Sequence, residues 1–149
     1  MSDVIASGRR IYAAIEAVDQ AIATQLGIHR SDLRALNVLK DGPLLPRDIA
    51  ECTALTSGSV TALIDRLECA GYVQRQPSQT DRRSIEIVIT PEKFSLICDL
   101  YSQCATNLKE CFGKQNARQL KASLGALGEF AEAMEVAAET IGKIKKGDA

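Results

Sequence analysis

The chain has 149 residues, 46% of them hydrophobic and 25% charged, which fits one globular domain, or one domain with an oligomerisation arm, and excludes a disordered chain. A formal charge of −1 excludes a protein that coats nucleic acid without regard to sequence, because that behaviour needs a dominant basic field. No Lys/Arg-led apolar run opens the sequence and no run of about 18 apolar residues occurs, so neither a signal peptide nor a membrane span is expected and a cytoplasmic location is.

The first segment, Asp3 to Leu26, repeats apolar or small residues at Val4, Gly8, Ile11, Ile15, Val18 and Ile22, the spacing of a helix packed along other helices. Ser31 is placed to cap a second helix containing Leu33, Leu36 and Leu39, which Gly42-Pro43 terminates. Pro46-Arg47-Asp48-Ile49-Ala50-Glu51-Cys52 predicts a short third helix with proline in its first turn, and Thr53-Ala54-Leu55 a tight turn before an N-cap at Thr56 or Ser57. Two short helices joined this way make a helix-turn-helix.

In the helix that follows, Val60, Leu63, Ile64 and Leu67 fall at i, i+3, i+4 and i+7, one apolar stripe for burial. The opposite face carries Ser57, Ser59, Thr61, Ala62, Asp65 and Arg66, mostly small hydrogen-bonding groups that let a helix lie close to base edges in a major groove. This is the expected recognition helix. Gly71 ends it, Tyr72-Val73-Gln74-Arg75-Gln76 predicts a strand, and Ser84-Ile85-Glu86-Ile87-Val88-Ile89-Thr90 predicts its partner. Between them Pro77-Ser78-Gln79-Thr80-Asp81-Arg82-Arg83 forms a polar hairpin tip, a wing. Arg83 is best placed for the adjacent minor groove with Asp81 holding its guanidinium, and Arg82 for a phosphate. From Thr56 to Arg83 the arginines Arg66, Arg75, Arg82 and Arg83 stand against Asp65, Glu68 and Asp81, a small positive excess.

Beyond the wing, Thr90-Pro91 supplies an N-cap and first-turn pair, and Phe94, Ile97, Cys98, Tyr101, Ala105, Leu108 and Phe112 mark one face of a helix running to Gly113. Leu120, Leu124, Leu127, Ala131, Met134, Ala138 and Ile141 then repeat by alternating steps of four and three, a second long stripe. A winged helix cannot cover these stripes alone without exposing large patches, so a homodimer is expected. The fold class is mainly α with a small β-hairpin wing, a winged helix-turn-helix over 30–90 flanked by dimerisation helices over 1–26 and 91–145 in a single chain of 1–149.

Cys52, Cys69, Cys98, Cys104 and Cys111 are an odd number without Cys-x-x-Cys pairing, which suits reduced thiols. Cys98, Cys104 and Cys111 are expected on or near the packed face of their helix, as small hydrophobes. With a single histidine, His29, and no Gly-rich phosphate loop or nucleophile elbow, neither a metal site, a cofactor nor an enzyme is expected.

Leu55-Thr56-Ser57-Gly58-Ser59-Val60-Thr61 leading into Ile64-Asp65-Arg66-Leu67, then Ala70-Gly71-Tyr72-Val73, Asp81-Arg82-Arg83 and Ile89-Thr90-Pro91-Glu92 form a joint, ordered set that resembles the MarR (multiple antibiotic resistance regulator) family of winged-helix transcription factors. Three departures stand out: Ser78-Gln79 where relatives often have Asp-Pro, Lys93 where a Gly is common, and Ala54 in place of a turn Gly. The resemblance implies a dimer with interleaved terminal helices on a pseudo-palindromic duplex DNA operator, most often as a repressor. It also implies a ligand cleft where the dimerisation helices meet the winged domain. Tyr12, His29, Asp32, Asn37 and Tyr101 are the candidates there to orient a small aromatic or carboxylate-bearing molecule. Two other readings start from the same residues: a winged-helix protein-interaction scaffold without operator binding, and a thiol-based redox-sensing regulator.

Overall fold

Local signals fix most element ends. In the computed structural model, which describes residues 2–79, 81 and 83–144, the order is α1 (Ser2–Leu26), α2 (Arg30–Leu39), α3 (Pro46–Thr53), α4 (Ser57–Cys69), β1 (Val73–Pro77), β2 (Ile85–Ile89), α5 (Pro91–Phe112) and α6 (Ala117–Ile144). Thr56 caps α4, its hydroxyl oxygen accepting from the Ser59 N–H at 3.3 Å. At the other end Gly71 takes the left-handed conformation, φ 73°, that glycine adopts without a Cβ clash. Tyr72 N–H then reaches the Leu67 carbonyl at 2.8 Å. α6 starts on a reciprocal box in which Gln119 N–H donates to Asn116 Oδ1 and Asn116 N–H donates to Gln119 Oε1, satisfying two helix-end donors at once.

The start of α2 differs from expectation. Its N-cap is His29 and Ser31 lies inside the helix. The decisive group is the Asp32 carboxylate at the third helical position, which reaches back to accept the His29 N–H at 3.2 Å. A carboxylate there also sits well with the positive end of the helix dipole.

β1 and β2 pair antiparallel, from Val73 opposite Ile89 to Pro77 opposite Ile85. Pro77 therefore ends a strand instead of opening the hairpin tip. The free side of β2 is closed by Leu44, which exchanges two backbone hydrogen bonds with Ile87 at 2.8 and 3.1 Å. That third segment, a single bridge residue, has too little pattern to be seen in sequence.

Two compact units emerge, one of Arg9–Ser102 and one of the described residues in Met1–Gly8 and Gln103–Ala149. The first holds the core: Leu36, Ile49, Leu63, Ile64, Leu67, Val73 and Ile87 are almost wholly buried. Each such side chain contributes about 1.5–3 kcal/mol by leaving water. A second cluster of Ile22, Ala23 and Leu33, flanked by Leu100 and Tyr101, packs the last turns of α1 against α2 and α5. In the second unit Gly8 is buried under the Phe130 ring, where a Cβ would lie 2.4 Å from Cζ. The expected stripes of α5 and α6 are buried only in part by the chain itself: Ile97 lies in the core and Tyr101 is half-buried against it. Phe94, Leu108, Leu124, Leu127, Met134 and Ile141 are exposed, and so are Cys98 and Cys111, with Cys104 half-buried. The packed-face placement of those cysteines is thus not met within one protomer. No helix among the described residues is long and apolar enough to cross a membrane.

Candidate nucleic-acid interface

α3, its turn and α4 form the expected helix-turn-helix. Ala54 turns the chain with φ 57° and ψ 30°, a left-handed conformation rare for a residue with a Cβ. It is held because Ala54 N–H donates to Glu51 O at 3.4 Å and Leu55 N–H to Ala50 O at 3.2 Å. Val60, Leu63, Ile64 and Leu67 are buried, each at 2% exposure or less, which anchors α4 and turns Ser57, Ser59, Thr61, Ala62, Asp65 and Arg66 outward. Thr61 donates its hydroxyl proton to Ser57 O at 3.0 Å and Ser59 Oγ lies 2.8 Å from Thr56 Oγ1. Both oxygens keep acceptor capacity.

Two arginines on this face are already engaged. Arg66 makes a fork on Asp32 of α2, Nη2 to Oδ1 at 2.5 Å and Nε to Oδ2 at 3.1 Å. The Asp32 side chain is 1% exposed, that of Arg66 47%. The guanidinium is held more firmly protonated first by that hydrogen bond, then by the carboxylate's charge, against partial burial. Arg75 on β1 is bound to Asp65, Nη2 to Oδ1 at 2.5 Å, and to the Glu68 carboxylate through Nη1. Two of the four arginines counted along the sequence, Arg66 and Arg75, are therefore engaged within the fold.

At the wing tip Asp81 braces the backbone. Its Oδ1 accepts the N–H of Arg83 at 3.0 Å and its Oδ2 the hydroxyl of Ser84 at 2.8 Å. Those two bonds, the Arg83 N–H first, hold the carboxyl below its ordinary range. What Asp81 grips is the main chain of Arg83 and not its guanidinium, so the expected hold on the guanidinium is not seen. The Arg83 guanidinium makes no ion pair among the described residues. Arg82 lies outside them. Ser78, nearly buried, donates to Glu86 Oε1 at 2.6 Å while its backbone N–H bonds Ser84 O at 2.9 Å. A serine thus stiffens the base of the tip, one of the departures noted above. Lys93, another, places its Nζ 4.9 Å from the Tyr72 ring centre, a cation–π contact across the start of β1.

The MarR family's sequence profile matches residues 26–84. YcgE, an HTH-type transcriptional regulator of Bacillus subtilis (strain 168), is 34% identical over 117 residues, 78% of this chain and 76% of that protein. This protein belongs to the MarR family. The multiple antibiotic resistance protein MarR of Salmonella typhimurium is 26% identical over 102 residues, 66% of this chain and 70% of its own. A MarR family protein from Bacillus stearothermophilus superposes with a TM-score of 0.74 at 18% identity, over 90% of this chain and 94% of that one, a likeness of fold. The chain is a winged-helix, DNA-binding transcriptional regulator, and its chemistry is that of a regulator and not of an enzyme.

This MarR-family chain also carries a cleft of about 490 Å³ lined by Tyr12, Glu16 and Asp19 of α1, Arg30, Ser31, Arg34 and Asn37 of α2, and Thr53 and Leu55. Of the residues expected at a ligand site, Tyr12 and Asn37 line it. Tyr101 stands behind them, accepting from Asn37 Nδ2 and donating to Asp19 Oδ1, both at 2.9 Å. His29 and Asp32 do not line it: one caps α2, the other is buried against Arg66. Sequence reasoning missed Glu16, Arg30 and Arg34. Arg30 pairs with Glu16 at 2.5 Å, and that bond, then the Tyr12 hydroxyl, keeps the Glu16 carboxyl below its ordinary range. Tyr12 is shifted up, first by its hydrogen bond to Glu16. Arg34 makes no ion pair among the described residues. No group of three or more His, Cys, Asp or Glu among the described residues could hold a metal ion.

Proposed function

We propose that the protein is a cytoplasmic homodimer that binds a pseudo-palindromic duplex operator, acts as a repressor, and is relieved by a small anionic or aromatic molecule. The observation that carries the reading is the pairing of a small-residue helix face, Ser57, Ser59, Thr61 and Ala62 on α4, with an adjacent wing whose tip holds the Arg83 backbone through Asp81. Hydroxyls hold phosphates or base edges, the Ala62 methyl meets a thymine methyl, and Arg83 enters a narrow A·T minor groove. Arg82 takes a phosphate. Arg66 belongs to the site in a different role: its fork on buried Asp32 supports a part in fixing α4 on α2 more than in reading a base.

The full chain should select, from a random duplex pool, an inverted repeat with half-site centres one turn apart, about 34 Å. Transcription from a promoter carrying that repeat should fall when the protein is added. Failure to enrich any sequence, with weak and salt-sensitive retention of all duplexes alike, would support a scaffold instead.

The cleft has the volume of a small-molecule site, and Arg34, Tyr12 and Asn37 offer a cation, an aromatic ring and an amide to one occupant. Release of DNA requires that the ligand bind the DNA-incompetent state better. A panel of small aromatic acids and phenols should contain a compound that both raises the melting temperature and weakens operator binding, and Arg34→Ala should abolish both effects. A panel with no such compound would remove the ligand from this reading and leave DNA binding intact.

A further inference from the structure

On a helix of about 3.6 residues per turn, the direction opposite the buried stripe of α4 is held by Gly58, Ala62, Asp65 and Cys69. Asp65 therefore stands at the centre of the face turned toward DNA, and its side chain is 60% exposed. Glu68 lies on the flank that meets β1. Two carboxylates in those places oppose the approach of a phosphate backbone, because like charges set against each other are a strong means by which interfaces reject partners. Ser57, Ser59, Thr61 and Ala62 carry nothing to offset them.

The offset comes from the wing's first strand. Arg75 reaches back so that Nη2 meets Asp65 Oδ1 at 2.5 Å, Nη1 meets the Glu68 carboxylate, and the Arg75 backbone N–H donates to Glu68 Oε1 at 3.4 Å. Its side chain is 37% exposed, and both terminal nitrogens are taken by carboxylates, which makes Arg75 a poor candidate for direct contact with bases. We propose that Arg75 is a positioning residue for DNA binding: it neutralises Asp65 and Glu68, and so lets the recognition face enter a major groove, while tying β1 to α4. This rests on the DNA-binding reading above and adds a residue that the sequence pattern alone counts as one more surface cation.

Exposed ion pairs contribute modestly to folding, here an arginine bridging two carboxylates that are 60% and 37% exposed, so the melting temperature and the affinity for DNA should respond differently. With the full chain and the duplex it selects from a random pool, Arg75→Ala should lower affinity roughly ten- to hundredfold with little change in melting. Adding Asp65→Asn and Glu68→Gln to Arg75→Ala should restore affinity to within about threefold of the parent. The Asp65→Asn, Glu68→Gln pair with Arg75 retained should steepen the salt dependence by about one counterion per protomer, as the freed guanidinium turns to a phosphate. Parental affinity in Arg75→Ala would overturn the proposal. So would a loss that the two neutral substitutions do not restore, since Arg75 would then touch DNA itself or serve the fold. A parental chain that selects no duplex would overturn the DNA-binding reading first, and this inference with it.

Discussion

Ala54 holds a backbone conformation that costs a residue with a Cβ about 1–2 kcal/mol, while glycine there would lose about 0.5–1 kcal/mol more chain entropy on folding. The difference favours glycine, so Ala54→Gly should raise stability by about 0–1.5 kcal/mol, read by thermal or urea melts. A lowered midpoint would mean that the turn holds alanine without strain. The wing tip supplies a second prediction at this scale. Arg83→Ala should weaken operator binding by about 1–3 kcal/mol per protomer and relax preference at the outer A·T positions. Asp81→Ala should copy part of that defect, since it frees the Arg83 backbone, although removing a negative charge should by itself favour DNA. The sign with pH follows from the same bonds. A carboxyl held below its ordinary range adds stability that is present above that range and lost as pH falls through its lowered value. Asp81 should therefore stay ionised between neutral and mildly acid pH, and its titration should add no pH dependence to operator binding in that window. A carboxyl-carbon NMR titration of Asp81 should fall below the ordinary aspartate range and move back up in Ser84→Ala. Tighter DNA binding by Asp81→Ala together with a neutral Arg83→Ala would remove the wing from the minor groove.

At the scale of the element, α4 shows what a sequence displays and what it hides. Its buried stripe and its outward hydroxyls follow from helical spacing alone, and Gly71 marks its end. Arg66 does not follow. Spacing puts it on the outward face, and it is half exposed there, but its guanidinium is turned to Asp32, 34 residues earlier. No periodic rule connects two side chains so far apart. The same holds for Arg75 with Asp65 and Glu68, and for Tyr101 joining Asp19 and Asn37, so the polar ties of the site were the least legible part of it. The hairpin was legible because alternation and polar punctuation are local, whereas the Leu44 bridge on its open side was not. Arg66→Ala should therefore act on stability, leaving the nearly buried Asp32 carboxylate with only the His29 N–H. Breaking such a pair costs about 3–5 kcal/mol when both partners are buried, and the exposure of Arg66 places the expected loss nearer 2–3 kcal/mol. Arg66→Lys should lose part of it, for want of the planar fork. A melt equal to the parent's, with operator preference changed at one base pair, would return Arg66 to base reading.

The whole molecule poses the question of what covers α6, which has no buried residue among those described and whose Leu124, Leu127, Met134 and Ile141 keep the four-and-three spacing of a helix seam. At the other end Val4 and Ile5 of α1 are exposed in the same compact unit. Scattered apolar residues on a surface need no explanation, but a periodic stripe of them along a 28-residue helix exceeds what a monomer ordinarily exposes. A second copy is the partner that a symmetric pair of such stripes fits, and two copies would bring two α4 helices to one operator. The test uses side chains that one protomer leaves exposed, so that folding of the chain is spared. Leu127→Lys with Met134→Lys removes two apolar contacts from each protomer, each worth about 1.5–3 kcal/mol when buried, and sets like charges against each other. The dimer constant should weaken by at least about a thousandfold. Light scattering at micromolar concentration should then find a monomer with parental helix content, and the palindromic operator should be bound no better than a single half-site. A substituted chain that remains dimeric would place the seam on other residues, with α6 turned to a different partner.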